Sequence, residues 1–163
     1  MYKLLFAEDE SATRNGILEG IGWRELGIGE IRAEKNGELA DRAAESFVPD
    51  ILLTDIKMPR MDGITLSRKI RDRNPRCSIL IISGYAEVGY LKSAIKLKAI
   101  DFVEKPIRLE ELAEQLRHAV AAQDKLRERS ALLKMELGSM LRYSGFSTAR
   151  VTAILKECYP RLP

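Results

Sequence analysis

Four short stretches of the chain carry residue types suited to polar chemistry, and each directly follows an apolar run. Glu8-Asp9-Glu10 follows Lys3 to Ala7, Asp55 follows Asp50 to Thr54, Ser83 follows Ser78 to Ile82, and Lys105-Pro106 follows Ile100 to Glu104. If these runs are parallel strands of one sheet, their carboxyl ends share an edge, and residues as distant in sequence as Glu8 and Lys105 meet there. The carboxylates of Glu8, Asp9 and Asp55 would repel one another at that edge unless a cation lay among them, and hard oxygen ligands suit Mg²⁺ better than softer metals. Lys105 and Ser83 add what an incoming phosphoryl group requires, charge compensation and a hydroxyl donor. Asp55, central in the cluster, is the candidate nucleophile. Alone, an Asp at a strand end is most often a solvated turn residue and Ser83 a loop hydroxyl, so the argument rests on their joint occurrence.

The elements that must position these residues alternate along the chain. Runs of strand length occur at Lys3 to Ala7, Glu30 to Ala33, Asp50 to Thr54, Ser78 to Ile82 and Ile100 to Glu104. Between them residues recur at helical spacing: Ile17, Leu18 and Ile21; Leu39, Ala43 and Phe47; Ile64, Ser67 and Ile70; Leu91, Ala94 and Ile95. Asn36-Gly37, Pro49-Asp50, Asn74-Pro75 and Ser83-Gly84 punctuate the joins. This alternation predicts an α/β fold, a doubly wound five-stranded parallel sheet of flavodoxin-like kind with strand order 2-1-3-4-5 and helices on both faces.

At 163 residues the chain is long enough for one well-buried core and an extension, but short for two full domains. A hydrophobic fraction of 45% with 31% charged residues excludes a disordered composition. No apolar run approaches the ~20 residues that a membrane-spanning helix needs. Glu8-Asp9-Glu10 also interrupts the basic, apolar N-terminus before a signal-peptide core could form, so a cytoplasmic protein without membrane contact is expected. Cys77 and Cys158 lie far apart without CxxC spacing, which argues against a disulfide framework or a zinc site. Residues 1–106 balance 17 basic against 17 acidic side chains, and residues 107–163 hold 10 and 7. So slight an excess describes a solvated helix surface rather than a nucleic-acid footprint.

These residues, in this order, resemble the response-regulator receiver family from Lys3 to about Ile107. The resemblance is carried by Glu8-Asp9, by Asp55 followed by Met58-Pro59-Arg60-Met61-Asp62-Gly63, by Ser83, and by Phe102 three residues before Lys105-Pro106. It implies that Asp55 is a phosphoacceptor and that Asp9, Asp55 and the backbone carbonyl of Lys57 ligate Mg²⁺, with Glu8 acting through water. It further implies that Ser83 and Lys105 contact the phosphoryl oxygens, that Phe102 is an aromatic switch following Ser83, and that the Lys105-Pro106 bond can be cis. The implied donor is a sensor histidine kinase. The implied chemistry is transfer to, and hydrolysis from, the protein's own Asp, which is a regulatory role rather than that of an enzyme. Two positions depart from the family pattern. Glu8 stands where Asp is commonest, and Lys98 stands where the family usually has a Gly closing a helix.

The loop Gly22-Trp23-Arg24-Glu25-Leu26-Gly27 and the run Ile82-Ser83-Gly84-Tyr85 also resemble receivers joined to AraC-type DNA-binding domains. That resemblance implies transcriptional output through a DNA-binding domain missing from this chain; the alternative is a stand-alone single-domain phosphorelay protein. Two other classes fit less well. A phosphatase with an aspartyl nucleophile would want a second Asp where Lys57 stands, and a flavin-binding domain would want a phosphate-cradling loop where Glu8-Asp9-Glu10 would repel the phosphate. Taken singly, Trp23 reads as a packing anchor, His118 as a surface residue and Glu10 as a solvated helix start.

From Leu109 to about Leu141 strong helix formers predict one long helix, with Gly138 its lone breaker. Leu109, Leu112, Leu116, Ala119, Gln123, Leu126, Ser130, Leu133, Leu137 and Met140 alternate steps of three and four, a heptad stripe. The expected organisation is a receiver over 1–122, a helical linker with coiled-coil spacing over 123–142, and a short helical tail over 143–163 with Ser147 or Thr148 as its N-cap. Leu109 to Ala119 must also cover the sheet, which leaves Gln123 to Met140 free to pair with a second copy or to be covered by the tail. Gln123 and Ser130 weaken such a seam, and Arg129 would face Lys134 across a parallel pair. A homodimer and an intramolecular hairpin both satisfy the pattern.

Overall fold

The computed structural model describes residues 1–84 and 101–143. In chain order these form β1 (Tyr2–Ala7), α1 (Ser11–Gly20), β2 (Ile28–Glu34), α2 (Gly37–Phe47), β3 (Ile51–Asp55), α3 (Gly63–Arg73), β4 (Ser78–Ser83), β5 (Asp101–Glu104) and α4 (Leu109–Tyr143). The strands are parallel and ordered β2-β1-β3-β4-β5, the doubly wound flavodoxin-like arrangement. The helical segment expected around Leu91, Ala94 and Ile95, the turn at Lys98 and the tail helix after Ser147 or Thr148 lie outside the described residues.

Alternate residues along each strand feed two cores, because successive side chains point to opposite faces. Leu5, Ala7, Leu52, Ile79 and Ile81 pack with Ala40, Ala43 and Phe47 of α2 and with Ile64, Leu66 and Ile70 of α3. Leu4, Phe6, Ile51, Leu53, Leu80 and Ile82 face the other way, against Ile17 of α1 and Leu112, Leu116 and Ala119 of α4. Burial on both faces is why these strands read as unbroken apolar runs. The edge strand β2 departs from this pattern. It begins at Ile28 rather than at Glu30, and its Gly29 and Glu30 are exposed because it forms one edge of the sheet. Gly27, at φ 78, makes the turn that starts it, in a left-handed conformation that favours glycine, and its carbonyl accepts from Tyr2 N at 2.8 Å.

Two helices open directly beyond the loops that follow β2 and β3, and each has a side-chain cap. Asn36 accepts from Leu39 N at 2.9 Å to begin α2, and Asp62 accepts from Thr65 N at 2.7 Å to begin α3. Gly37 is the contact between these two starts, since a Cβ there would stand 2.4 Å from the Met61 carbonyl oxygen.

The chain divides into two compact units after Asp124. Gln123, read from the heptad as part of a free seam, instead belongs to the first unit and is 4% exposed. Its amide nitrogen lies 2.7 Å from the Arg76 carbonyl, 2.8 Å from Ser78 Oγ and 3.0 Å from the Asp50 carbonyl, and its two hydrogens are shared among these acceptors. A polar residue at a heptad position looks like a weak seam, but here it satisfies acceptors at the amino edge of the sheet. Asp124 accepts from the Tyr2 hydroxyl. In the second unit α4 continues through Gly138 to Tyr143, with Leu126 37% and Leu133 51% exposed. Among the described residues no helix is long and apolar enough to cross a membrane.

Candidate functional site

The parallel register brings the expected residues to one edge. β1 ends at Ala7 immediately before Glu8, β3 ends on Asp55, β4 ends on Ser83, and Lys105 follows β5. Glu8 is fully buried, Asp55 is 5% exposed, and Asp9 faces solvent. One carboxylate oxygen from each of the three lies within 4.8 Å of the others. Lys105 Nζ stands 2.6 Å from Asp55 Oδ2 and 3.4 Å from Glu8 Oε2.

The electrostatics follow from burying two carboxylates against one ammonium. Burial raises the Glu8 pKa, and the Asp55 charge raises it further; the attraction of Lys105 and the hydrogen bond from the Glu10 amide do not offset them. For Lys105 burial alone would lower the pKa, but the hydrogen bond and charge of Asp55, together with Glu8, hold it above the ordinary lysine value. Asp55 is thus bonded to a firmly protonated ammonium. Glu8 Oε1 accepts from Glu10 N at 3.2 Å, whereas buried Oε2 faces the Lys105 ammonium at 3.4 Å without a well-directed hydrogen bond. A buried carboxylate oxygen so loosely partnered, beside two further carboxylates, leaves coordination that a small hard cation would satisfy. The residues therefore fit Mg²⁺.

Ser83 and Lys105 are held side by side, since Lys105 N donates to the Ser83 carbonyl at 2.9 Å; the Lys105-Pro106 bond that follows is cis. The Ser83 hydroxyl donates to the Gly84 carbonyl at 3.2 Å. Phe102 pairs in register with Ile81 and is partly buried on the face covered by α2 and α3. Lys57 is exposed in the loop beyond Asp55.

That loop folds back onto the end of β3. Gly63 N donates to the Ile56 carbonyl at 2.9 Å, and a Cβ on Gly63 would lie 1.9 Å from the Asp55 carbonyl oxygen. Only glycine lets the start of α3 approach the Asp55 backbone so closely. Thr54 Oγ1 donates to the same carbonyl at 2.9 Å. Arg60, at φ 70, bends the loop, and its guanidinium lies 3.5 Å from Glu38 of α2.

Sequence reasoning missed Arg14, whose Nη1 donates to the Glu8 carbonyl at 2.7 Å and reaches that of Asp9 at 3.5 Å. A lone arginine on an exposed-looking helix gives no sequence signal except its place in a first turn, where a cation opposes the helix dipole. The residues set apart as structural stay so. Trp23 Nε1 donates to the Leu18 carbonyl at 2.9 Å and packs on the core, His118 is exposed beside Glu114 at 3.5 Å, and Glu10 accepts from Thr13 Oγ1 at 2.7 Å.

Residues 4–117 match the family model of the response regulator receiver domain. The uncharacterized transcriptional regulatory protein YesN of Bacillus subtilis is 34% identical over 140 residues, covering 84% of this chain and 38% of that protein. The transcriptional regulatory protein HptR of Staphylococcus aureus is 30% identical over 107 residues, covering 66% of this chain and 42% of its own length. The chain therefore spans less than half the length of these relatives. A solved two component transcriptional regulator AraC from Clostridium phytofermentans is 34% identical with a TM-score of 0.72, covering 79% of this chain and 99% of that one. The REC domain of AraT, a response regulator from Geobacillus stearothermophilus, is 36% identical with a TM-score of 0.66, covering 79% and 98%. With a match that runs through every strand and an acidic edge set against Lys105, the chain belongs to the response-regulator receiver family.

Proposed function

We propose that this chain is a phosphorylation switch in which Asp55 accepts a phosphoryl group from the phosphohistidine of a sensor histidine kinase. The observation that carries this reading is the Lys105 ammonium 2.6 Å from Asp55 Oδ2, at the centre of the acidic edge. In the transfer, an Asp55 carboxylate oxygen bonds to phosphorus as the phosphorus–nitrogen bond breaks; the imidazole keeps that electron pair and takes up a proton. Lys105 then compensates a phosphoryl oxygen rather than the bare carboxylate, and the Ser83 hydroxyl turns from Gly84 to donate to another. Phe102 follows the space that Ser83 leaves, which carries the change to the surface. Mg²⁺, held by Asp9, Asp55 and the Lys57 carbonyl with Glu8 acting through water, would supply the neutralising charge that lets an anionic donor approach.

The chemistry is confined to the protein's own Asp, so the role is regulatory, and a cytoplasmic setting follows from a kinase partner. Relatives named as transcriptional regulators support transcription as the output, exerted by a DNA-binding segment outside this chain. The helix beyond Asp124 is then the link to it, and the exposed Leu126 and Leu133 are a surface that a second copy would cover.

Acetyl phosphate with Mg²⁺, followed by intact mass measurement, tests the reading. One phosphoryl increment is expected for the wild type, and none for Asp55→Asn or in excess chelator. Labelling of Asp55→Asn at the wild-type rate would overturn the assignment.

A further inference from the structure

Arg14 lies in the first turn of α1, an unfavourable place for a cation. That turn presents unpaired N–H groups and the positive end of the helix dipole, and α1 has neither an acidic residue there nor a side-chain cap. What holds the half-buried guanidinium in place is the preceding loop. The two hydrogens of a single nitrogen, Nη1, serve two successive carbonyls, Glu8 at 2.7 Å and Asp9 at 3.5 Å.

The loop is fixed at only a few other points. Glu8 N donates to the Glu34 carbonyl at the end of β2 at 3.1 Å, and Glu10 N donates to Glu8 Oε1 at 3.2 Å. The orientation of the Glu8 and Asp9 peptide units sets the directions in which both side chains leave the backbone. A group bonded to those carbonyls therefore places the two carboxylates without touching either.

We infer that Arg14 is a positioning residue for the divalent-ion site: it clamps the Glu8–Asp9 backbone so that both carboxylates converge on that of Asp55. Its charge also offsets part of the repulsion among the three carboxylates before an ion arrives. The inference rests on reading the acidic cluster as an ion site. Its alignment and charge contributions separate by substitution. Arg14→Lys keeps the charge but loses the planar group that spans two carbonyls, whereas Arg14→Met keeps only a stem that packs.

Isothermal titration of the unphosphorylated protein with Mg²⁺, paired with acetyl phosphate labelling across Mg²⁺ concentrations, tests the clamp. Loss of an outer group that orients metal ligands lowers affinity by about tenfold or more, so Arg14→Met should weaken Mg²⁺ binding by about that factor, with Arg14→Lys between it and the wild type. The Mg²⁺ midpoint for labelling should shift in parallel while the rate at saturating Mg²⁺ is unchanged, a split that general destabilisation does not produce. If Arg14→Met does not fold, the shift in Arg14→Lys carries the test. Unchanged Mg²⁺ affinity in the folded variants, or a lower maximal rate at an unchanged midpoint, overturns the positioning role alone. A wild type that binds no Mg²⁺ overturns it together with the ion-site reading.

Discussion

At the carboxyl edge of the sheet, buried Glu8 and Asp55 share the ammonium of Lys105, which is close to Asp55 at 2.6 Å but only loosely set against Glu8 Oε2 at 3.4 Å. At the amino edge the buried polar groups are mostly neutral and well matched. Gln123 serves three acceptors, Ser78 N donates to the Asp50 carbonyl at 2.9 Å, Asp50 N donates to the Lys3 carbonyl at 2.9 Å, and Asn74 Nδ2 donates to the Pro49 carbonyl at 3.0 Å. Both edges end the same parallel strands, so the contrast lies in the side chains that arrive there and not in the backbone. A neutral, satisfied network resists change because any movement strands a desolvated group. A charged, under-satisfied one responds to whatever cation or anion enters. The acidic cluster thus occupies the edge that is electrically incomplete, and α4 is fastened at the edge that is complete.

The sharpest way to break this contrast is Gln123→Leu. It removes the two N–H donors shared among three buried acceptors while keeping the volume, and should lower unfolding free energy by about 2–3 kcal/mol in urea titration. Asp55 labelling should be preserved. A labelling defect as large as the stability defect would show that the two edges are coupled.

A smaller effect is expected at the other edge. Lys105→Ala leaves Glu8 and Asp55 without their cation, and with Lys105 about a third exposed the loss in divalent-free buffer should be about 1–2 kcal/mol. Adding Mg²⁺ should stabilise this variant more than it stabilises the wild type or Gln123→Leu. Equal gains for all three would remove the claim that this edge awaits a cation.

The smallest effect is in pH dependence. The folded state binds the Glu8 proton more tightly than the unfolded state, so this group's stabilisation is present below the ordinary glutamate value of 4.5 and is lost as pH rises through its raised folded value. The stability of the wild type minus that of Glu8→Gln, both without divalent ions, should therefore fall as pH rises from 4.5 toward neutrality. A difference that rises over that range would mean that Lys105 outweighs burial and Asp55.

How much of this was legible beforehand varies with the kind of residue. The strands β1, β3 and β4 were readable because burial on both faces demands runs of Leu and Ile, and a run is a local property. β2 was cut short at Glu30 because one edge of the sheet faces solvent and tolerates Gly29 and Glu30 there. Glu8, Asp9, Asp55, Ser83 and Lys105 could be named because ionic chemistry uses few residue types and parallel strands carry their ends to one place. The geometry then brought the three carboxylates and Lys105 together.

Gln123, Arg14 and Gly63 show where local pattern stops. A glutamine on a heptad, an arginine on a helix and a glycine in a turn have many unremarkable uses, and nothing near them in sequence says which applies. Their partners are Asp50, Arg76 and Ser78 for the first, the Glu8 and Asp9 carbonyls for the second, and the Asp55 backbone for the third. Apolar periodicity and residue chemistry are written position by position, so the order of strands and the gathering of acidic residues at one edge could be read directly. Which buried polar group meets which carbonyl depends on distances of a few tenths of an ångström between segments far apart in the chain, and those exist only once both cores have packed.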